Sequence, residues 1–169
     1  MKTRRKAAAL SHLDEAGKAR MVDVGDKPVS ERRAVAEGRV RINAELERAI
    51  LDDSLVKGNL LEVARLAGIM AAKRTDALIP LCHGLPLDHV NVDLRVGRGS
   101  VHIRAEVRTS ARTGVEMEAF TAVAVAALTV IDMGKAVDAG MVVDGIRLID
   151  KSGGRRGRLS PHASDFPDA

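Results

Sequence analysis

Two runs of apolar–polar alternation, Val90–Val96 and Val101–Arg108, are separated only by the four residues Gly97, Arg98, Gly99 and Ser100, and they constrain the fold more than any other feature of this chain. Val90, Val92, Leu94 and Val96 share one side of the first run; Val101, Ile103, Ala105 and Val107 share one side of the second. A period of two with one apolar face describes a half-buried strand, and two such runs across a short glycine-containing loop describe an antiparallel hairpin. A hairpin alone is marginal in water, so its apolar face requires a cover. The 15 residues Ala119–Met133 are nearly all apolar. That length is short for a membrane span and suits a buried helix.

The other periodicities complete an order of elements. Arg33–Ile42 alternates with Ala34, Ala36, Val40 and Ile42 on the apolar side, and Met21–Val24 is predicted as a short strand before the turn at Gly25–Pro28. Asn43 is placed to cap a helix over 44–51. Asn59, with Glu62 three residues on, opens a second helix whose buried stripe is Leu60, Val63, Ala64, Ala67, Met70 and Ala71. Thr113 and Glu116 have capping-box spacing for a long helix to about Ala139, which Gly140 stops; Met141–Ile149 gives the last strand. With the paired helices counted as one connection, the order from Arg33 is β-α-β-β-α-β. It predicts an α+β fold, a ferredoxin-like (split βαβ) antiparallel sheet with helices packed on one face. The expected organisation is a flexible N-terminal arm over 1–19, a single domain over 20–152 and a flexible basic tail over 153–169.

Composition narrows the function. The lone cysteine, Cys82, excludes an intramolecular disulfide and a multi-cysteine zinc site. The apolar stretch Ala7–Leu10 behind the basic N-terminus is too short for a secretory signal, so a cytoplasmic location is expected. A net charge of +4 admits nucleic-acid binding, but with no Trp, no Tyr and only Phe120 and Phe166 there is no aromatic platform for bases. A small anionic ligand fits better than a polymer or a membrane. A nucleic-acid module and a non-catalytic nucleotide sensor stay open as rivals.

Individual residues carry less. Lys57 stands just before a capped helix start, where free N–H groups favour anions; it reads as a phosphate ligand or a base, against the ordinary alternative of a solvated loop lysine. Asp132 and Lys135, three apart, suit a helix ion pair, and Glu116 has an ordinary role in the cap. Glu118 and Asp132 lie 14 residues apart on one helix, about 21 Å by the rise per residue. One small molecule cannot span them. If all four act, the site joins opposite helix ends from different copies of the chain. The histidines, at 12, 83, 89, 102 and 162, have no metal-ligand spacing, and no protein-built metal centre is expected.

Several strings occur together and in order: M-V-D-V at 21–24, K-G at 57–58, A-A-K-R-T at 71–75, L-I-P-L-C-H at 78–83, T-G-V-E-M-E-A at 113–119, D-M-x-K at 132–135 and K-S-G-G at 151–154. From about residue 12 to 157 the chain closely resembles the cyclic pyranopterin monophosphate synthase family of molybdenum cofactor biosynthesis. The resemblance implies a ferredoxin-like fold and a homo-hexamer, a trimer of dimers with active sites at the dimer interface. It implies a lyase that converts 3′,8-cyclo-7,8-dihydro-GTP, supplied by a radical SAM GTP cyclase, to cyclic pyranopterin monophosphate and pyrophosphate. Carried over by motif, Lys57, Asp132, Lys135 and His83 are the expected catalytic residues. Leu81, Cys82, His83, Glu116, Met117, Glu118, Arg32, Lys73 and Lys151 are the expected substrate-binding residues. No cofactor built into the protein is expected, and Mg2+ is expected only as a companion of the substrate triphosphate. Two departures stand out, since many relatives have Pro at the place of Gly84 and Cys at the place of Gly134.

Overall fold

A computed structural model describes residue 13, residues 16–154 and residues 157–167. Four strands, β1 (Ser30–Arg41), β2 (His89–Gly97), β3 (Ser100–Ala111) and β4 (Val142–Ser152), form one sheet in the order β2-β3-β1-β4. Every neighbouring pair is antiparallel. The helices are α1 (Ala44–Leu51), α2 (Leu60–Ala72), the single turn α3 (Thr75–Leu78) and α4 (Glu116–Gly134). This is the split βαβ order that the hairpin and the strand at Arg33–Ile42 imply.

The core lies between the sheet and α4. Ala34, Ala36 and Val40 of β1 and Val101, Ile103, Ala105 and Val107 of β3 are fully buried against Ala119, Ala122, Val123, Ala126, Ala127 and Val130. Small residues let the layers approach closely. A Cβ on Gly68 of α2 would stand 2.9 Å from the Ala122 carbonyl oxygen, so α2 and α4 meet almost backbone to backbone. By length and composition α4 is apolar enough to cross a membrane, yet its flanks are taken by α2, β1 and β3. It is a core helix.

Local chemistry explains most boundaries and corrects four expectations. Asn43 and Asn59 cap α1 and α2, their side chains accepting from the N–H groups of Leu46 and Glu62. The box at Thr113 and Glu116 does not form: Val115 is the N-cap without a side-chain bond, and Glu116 instead accepts from Lys151 at 2.6 Å. Helix α4 stops at Gly134 rather than near Ala139, because Asp138 turns the chain back by accepting from the N–H groups of Asn43 and Gly140. The stripe of α2 is Leu60, Ala64, Gly68, Ala71 and Ala72, which leaves Val63 and Met70 exposed, since the close approach at Gly68 sets which side faces α4. Met21–Val24 is extended without strand pairing.

The second sheet face is polar, and residues 158–167 cross it. Leu159 pairs with Lys151, and Ser164 Oγ and the Asp165 N–H both donate to Glu37. Glu37 also receives Arg147 at 2.9 Å and is only 4% exposed. Arg95 stacks on the Phe166 ring at 4.9 Å and donates to the Pro167 carbonyl.

Candidate functional site

At the start of α4 the loop after β3 meets the N-terminal segment, and three adjoining clefts share Gly114. The largest, 560 Å³, is walled by Val22, Val24, Lys27, Leu81, Cys82, His83, Leu85, Glu116, Met117 and Glu118. The next, 490 Å³, adds Arg32, Arg112 and Gly154. The smallest adds Lys151, Ser152 and Gly153. Together they form a trough with Cys82, His83, Glu116 and Glu118 at one end and Arg32, Arg112 and Lys151 at the other. Arg32 and Lys151 reach the cationic end because both lie on the helix side of the sheet, Lys151 being paired with Ala34 across β1 and β4.

Glu118 is the most perturbed group there. It is 4% exposed, and burial, with Glu116 and Asp76 adding negative charge, pushes its carboxyl up to about 7. Such a group is part protonated at neutral pH and can give or take a proton. Burial, together with the charges of Glu118 and Asp76, also raises the Cys82 thiol, so it stays neutral and serves as wall.

The second group sits at the other end of α4. Lys57 Nζ donates to the Asp132 carbonyl at 2.7 Å and lies 3.6 Å from Asp132 Oδ2. Lys135 Nζ donates to Asp132 Oδ1 at 2.7 Å. The Lys135 hydrogen bond, followed by the charges of Lys135 and Lys57, holds the Asp132 carboxyl below the usual carboxylate range. The surroundings of Lys57 are thus the C-terminal end of α4 and a carboxylate shared with Lys135, not the free N–H groups at the start of α2. All three side chains are about half exposed and face outward.

The structure therefore gathers the expected residues into two groups. Leu81, Cys82, His83, Glu116, Met117, Glu118, Arg32 and Lys151 line the trough, and Lys57, Asp132 and Lys135 form the outward triad. Glu116 and Asp132 are separated along α4 by about 24 Å of helix rise. Lys73, the exposed C-cap of α2, is not among the residues lining the trough. Lys27 and Arg112 are further trough cations that no sequence motif marks. Their only signal is position, one in the turn before β1 and one just past β3.

Residues 21–154 match the MoaC family. The chain belongs to the MoaC family. It is 59% identical to the cyclic pyranopterin monophosphate synthase of Thermomicrobium roseum, over 89% of this chain and 92% of that protein. It is 56% identical to the protein of that name from Parvibaculum lavamentivorans, over 89% and 96%. Against cyclic pyranopterin monophosphate synthase 2 of Mycobacterium tuberculosis the identity is 55%, over 90% and 91%. The family match contains both the trough motifs and the triad at Asp132.

Proposed function

We propose that this chain forms cyclic pyranopterin monophosphate from 3′,8-cyclo-7,8-dihydro-GTP, releasing pyrophosphate, at a site assembled from two copies. Family membership over the whole domain carries the activity: the protein is an enzyme of molybdenum cofactor biosynthesis, a lyase. The two-copy site rests on one observation. The triad of Lys57, Asp132 and Lys135 faces outward at the end of α4 remote from the trough, so a second copy is the simplest source of the missing half for each. Closed symmetry supplies such pairings, and a trimer of such dimers is the assembly the reading favours. The substrate comes from a radical SAM cyclase acting on GTP, in the cytoplasm.

Within that site the triphosphate lies toward Arg32, Lys27, Arg112 and Lys151, whose charges match its anionic oxygens. The purine-derived ring lies toward Leu81, Cys82, His83 and Met117. Opening and rebuilding that ring needs protons moved at nitrogen and carbon, work for Lys57 and Lys135 of the other copy with Asp132 orienting both. Glu118, with its carboxyl near 7, and His83 stand where a second proton carrier is required. A ribose hydroxyl then bonds to the α-phosphorus and loses its proton, while the α–β bridging oxygen leaves with the P–O electron pair as pyrophosphate. The trough cations stabilise that leaving charge.

Incubation with the cyclised GTP tests the reading. Equal amounts of pyrophosphate and cyclic pyranopterin phosphate are expected. Tight binding with no pyrophosphate, unaffected by Lys57→Ala, would identify a nucleotide sensor instead.

A further inference from the structure

Asp150 lies on β4 next to Lys151 but on the opposite sheet face, because successive strand residues point to opposite sides. It is 6% exposed and its carboxylate has three partners. Oδ2 accepts from Arg33 Nη1 at 2.5 Å, and Oδ1 accepts from Arg158 Nε at 2.9 Å and Ser160 Oγ at 2.7 Å. Arg33 continues to Glu106 Oε2 on β3 at 2.6 Å. One buried carboxylate thus joins β3, β1 and β4 to the segment that follows the glycine-rich turn. Burial alone would raise the Asp150 pKa, but the Ser160 and Arg158 hydrogen bonds and the charges of Arg158 and Arg33 outweigh it and keep the group ionised.

The same backbone carries the cations of the trough. Arg32 precedes Arg33 on β1, and Lys151 follows Asp150 on β4. The turn beyond Lys151 is closed by paired Lys151 and Leu159 hydrogen bonds, both 2.8 Å. Inside it Gly153 and Gly154 have φ of +99° and +72°, and a Cβ on Gly154 would collide with the Arg32 guanidinium. Arg32 Nε is buried without a hydrogen-bond partner, and Nη2 makes a long contact of 3.5 Å to the Arg112 carbonyl. The guanidinium is held by the packing of the glycine turn and by that single long bond to the Arg112 carbonyl. Asp150 accepts from Arg158 and Ser160, which flank the Leu159 that closes this turn on Lys151.

We propose that Asp150 is a positioning residue for the cationic end of the trough: through Arg33 on one side and Arg158 and Ser160 on the other, it seats the glycine turn that aims Arg32 beside Lys151. The inference rests on the reading that the substrate's phosphates bind at Arg32 and Lys151. Its chemistry is indirect, since Asp150 faces away from the ligand.

The test compares Asp150→Asn, Ser160→Ala and Lys151→Ala for kcat, KM, inhibition by inorganic pyrophosphate and thermal midpoint. Asp150→Asn keeps the shape but loses the charge, and is expected to raise KM and the pyrophosphate inhibition constant together by about tenfold with kcat within about twofold. Ser160→Ala removes one bond from an exposed residue and shifts both constants the same way by a smaller factor; it decides the matter if Asp150→Asn does not fold. Both constants unchanged in the folded Asp150 and Ser160 variants, with Lys151→Ala raising them, would overturn the positioning role and show a structural clamp only. If Lys151→Ala also leaves both unchanged, the phosphate reading fails first and the proposal falls with it.

Discussion

Replacing Glu118 with glutamine should make the protein's stability less sensitive to pH, in a direction that the buried carboxyl fixes. Burial is the main cause that pushes the Glu118 carboxyl from an ordinary 4.5 up to about 7 in the folded protein. Between those values the folded chain keeps a proton that the unfolded chain has lost, so the slope of unfolding free energy with pH is negative. The contribution is fully present below pH 4.5 and lost as pH rises through 7. At about 1.4 kcal/mol per tenfold change in proton affinity, the loss is about 3 kcal/mol. Glutamine has nearly the same shape and cannot ionise. Urea unfolding of wild type and Glu118→Gln, at one chain concentration and at intervals from pH 4.5 to 8.5, isolates the effect as a difference. The variant's stability relative to wild type should climb by about 3 kcal/mol across that range and level off above about pH 8. A difference that stays flat would mean Glu118 titrates as a solvated carboxyl, and its role as a proton carrier would go with it. The same variant should lose any ionisation near pH 7 from the kcat/KM profile.

Lys57→Ala and Lys135→Ala are each expected to lower turnover by at least about a hundredfold, while thermal midpoints stay within about 2 °C because both side chains are half exposed. Gly154→Ala forces a Cβ into the Arg32 guanidinium at positive φ; it should raise KM for the cyclised nucleotide several-fold, measured in steady state. Gly68→Ala presses on the Ala122 carbonyl across the α2–α4 contact and should cost about 1–3 kcal/mol in denaturant unfolding.

The architecture was largely legible because period two survives wherever one sheet face is buried. The apolar sides read for β1, β2 and β3 are the sides that meet the helices, and Asn43 marks the start of α1 as its spacing suggests. What escaped depends on contacts made far along the chain. Thr113 and Glu116 have the spacing of a cap, but Lys151, 35 residues away, takes the Glu116 carboxylate. Glu37 reads as the solvent side of a strand, yet it is buried by residues more than 120 positions later. The stripe of α2 was misplaced because Gly68, a weak residue in a helix pattern, is the point of closest approach. The residues expected from motif resemblance fall into two groups, and the spacing along α4 implies their separation. The sequence could not show that Asp132 gathers both lysines, or that the trough's charge is completed by Lys27 and Arg112.

The central claim is that each site draws Lys135 from one chain and Glu118 from another, and complementation between two inactive variants measures it directly. Lys135→Ala and Glu118→Ala chains would be unfolded together, refolded at equal concentration and assayed for pyrophosphate release from the cyclised nucleotide. Half of randomly paired dimers are mixed and each mixed dimer keeps one intact site, so recovery of up to about a quarter of wild-type activity is expected. Either variant refolded alone should stay inactive. No recovery in a mixture shown by native mass spectrometry to contain mixed dimers would contradict a shared site, and a fully active monomer would rule it out.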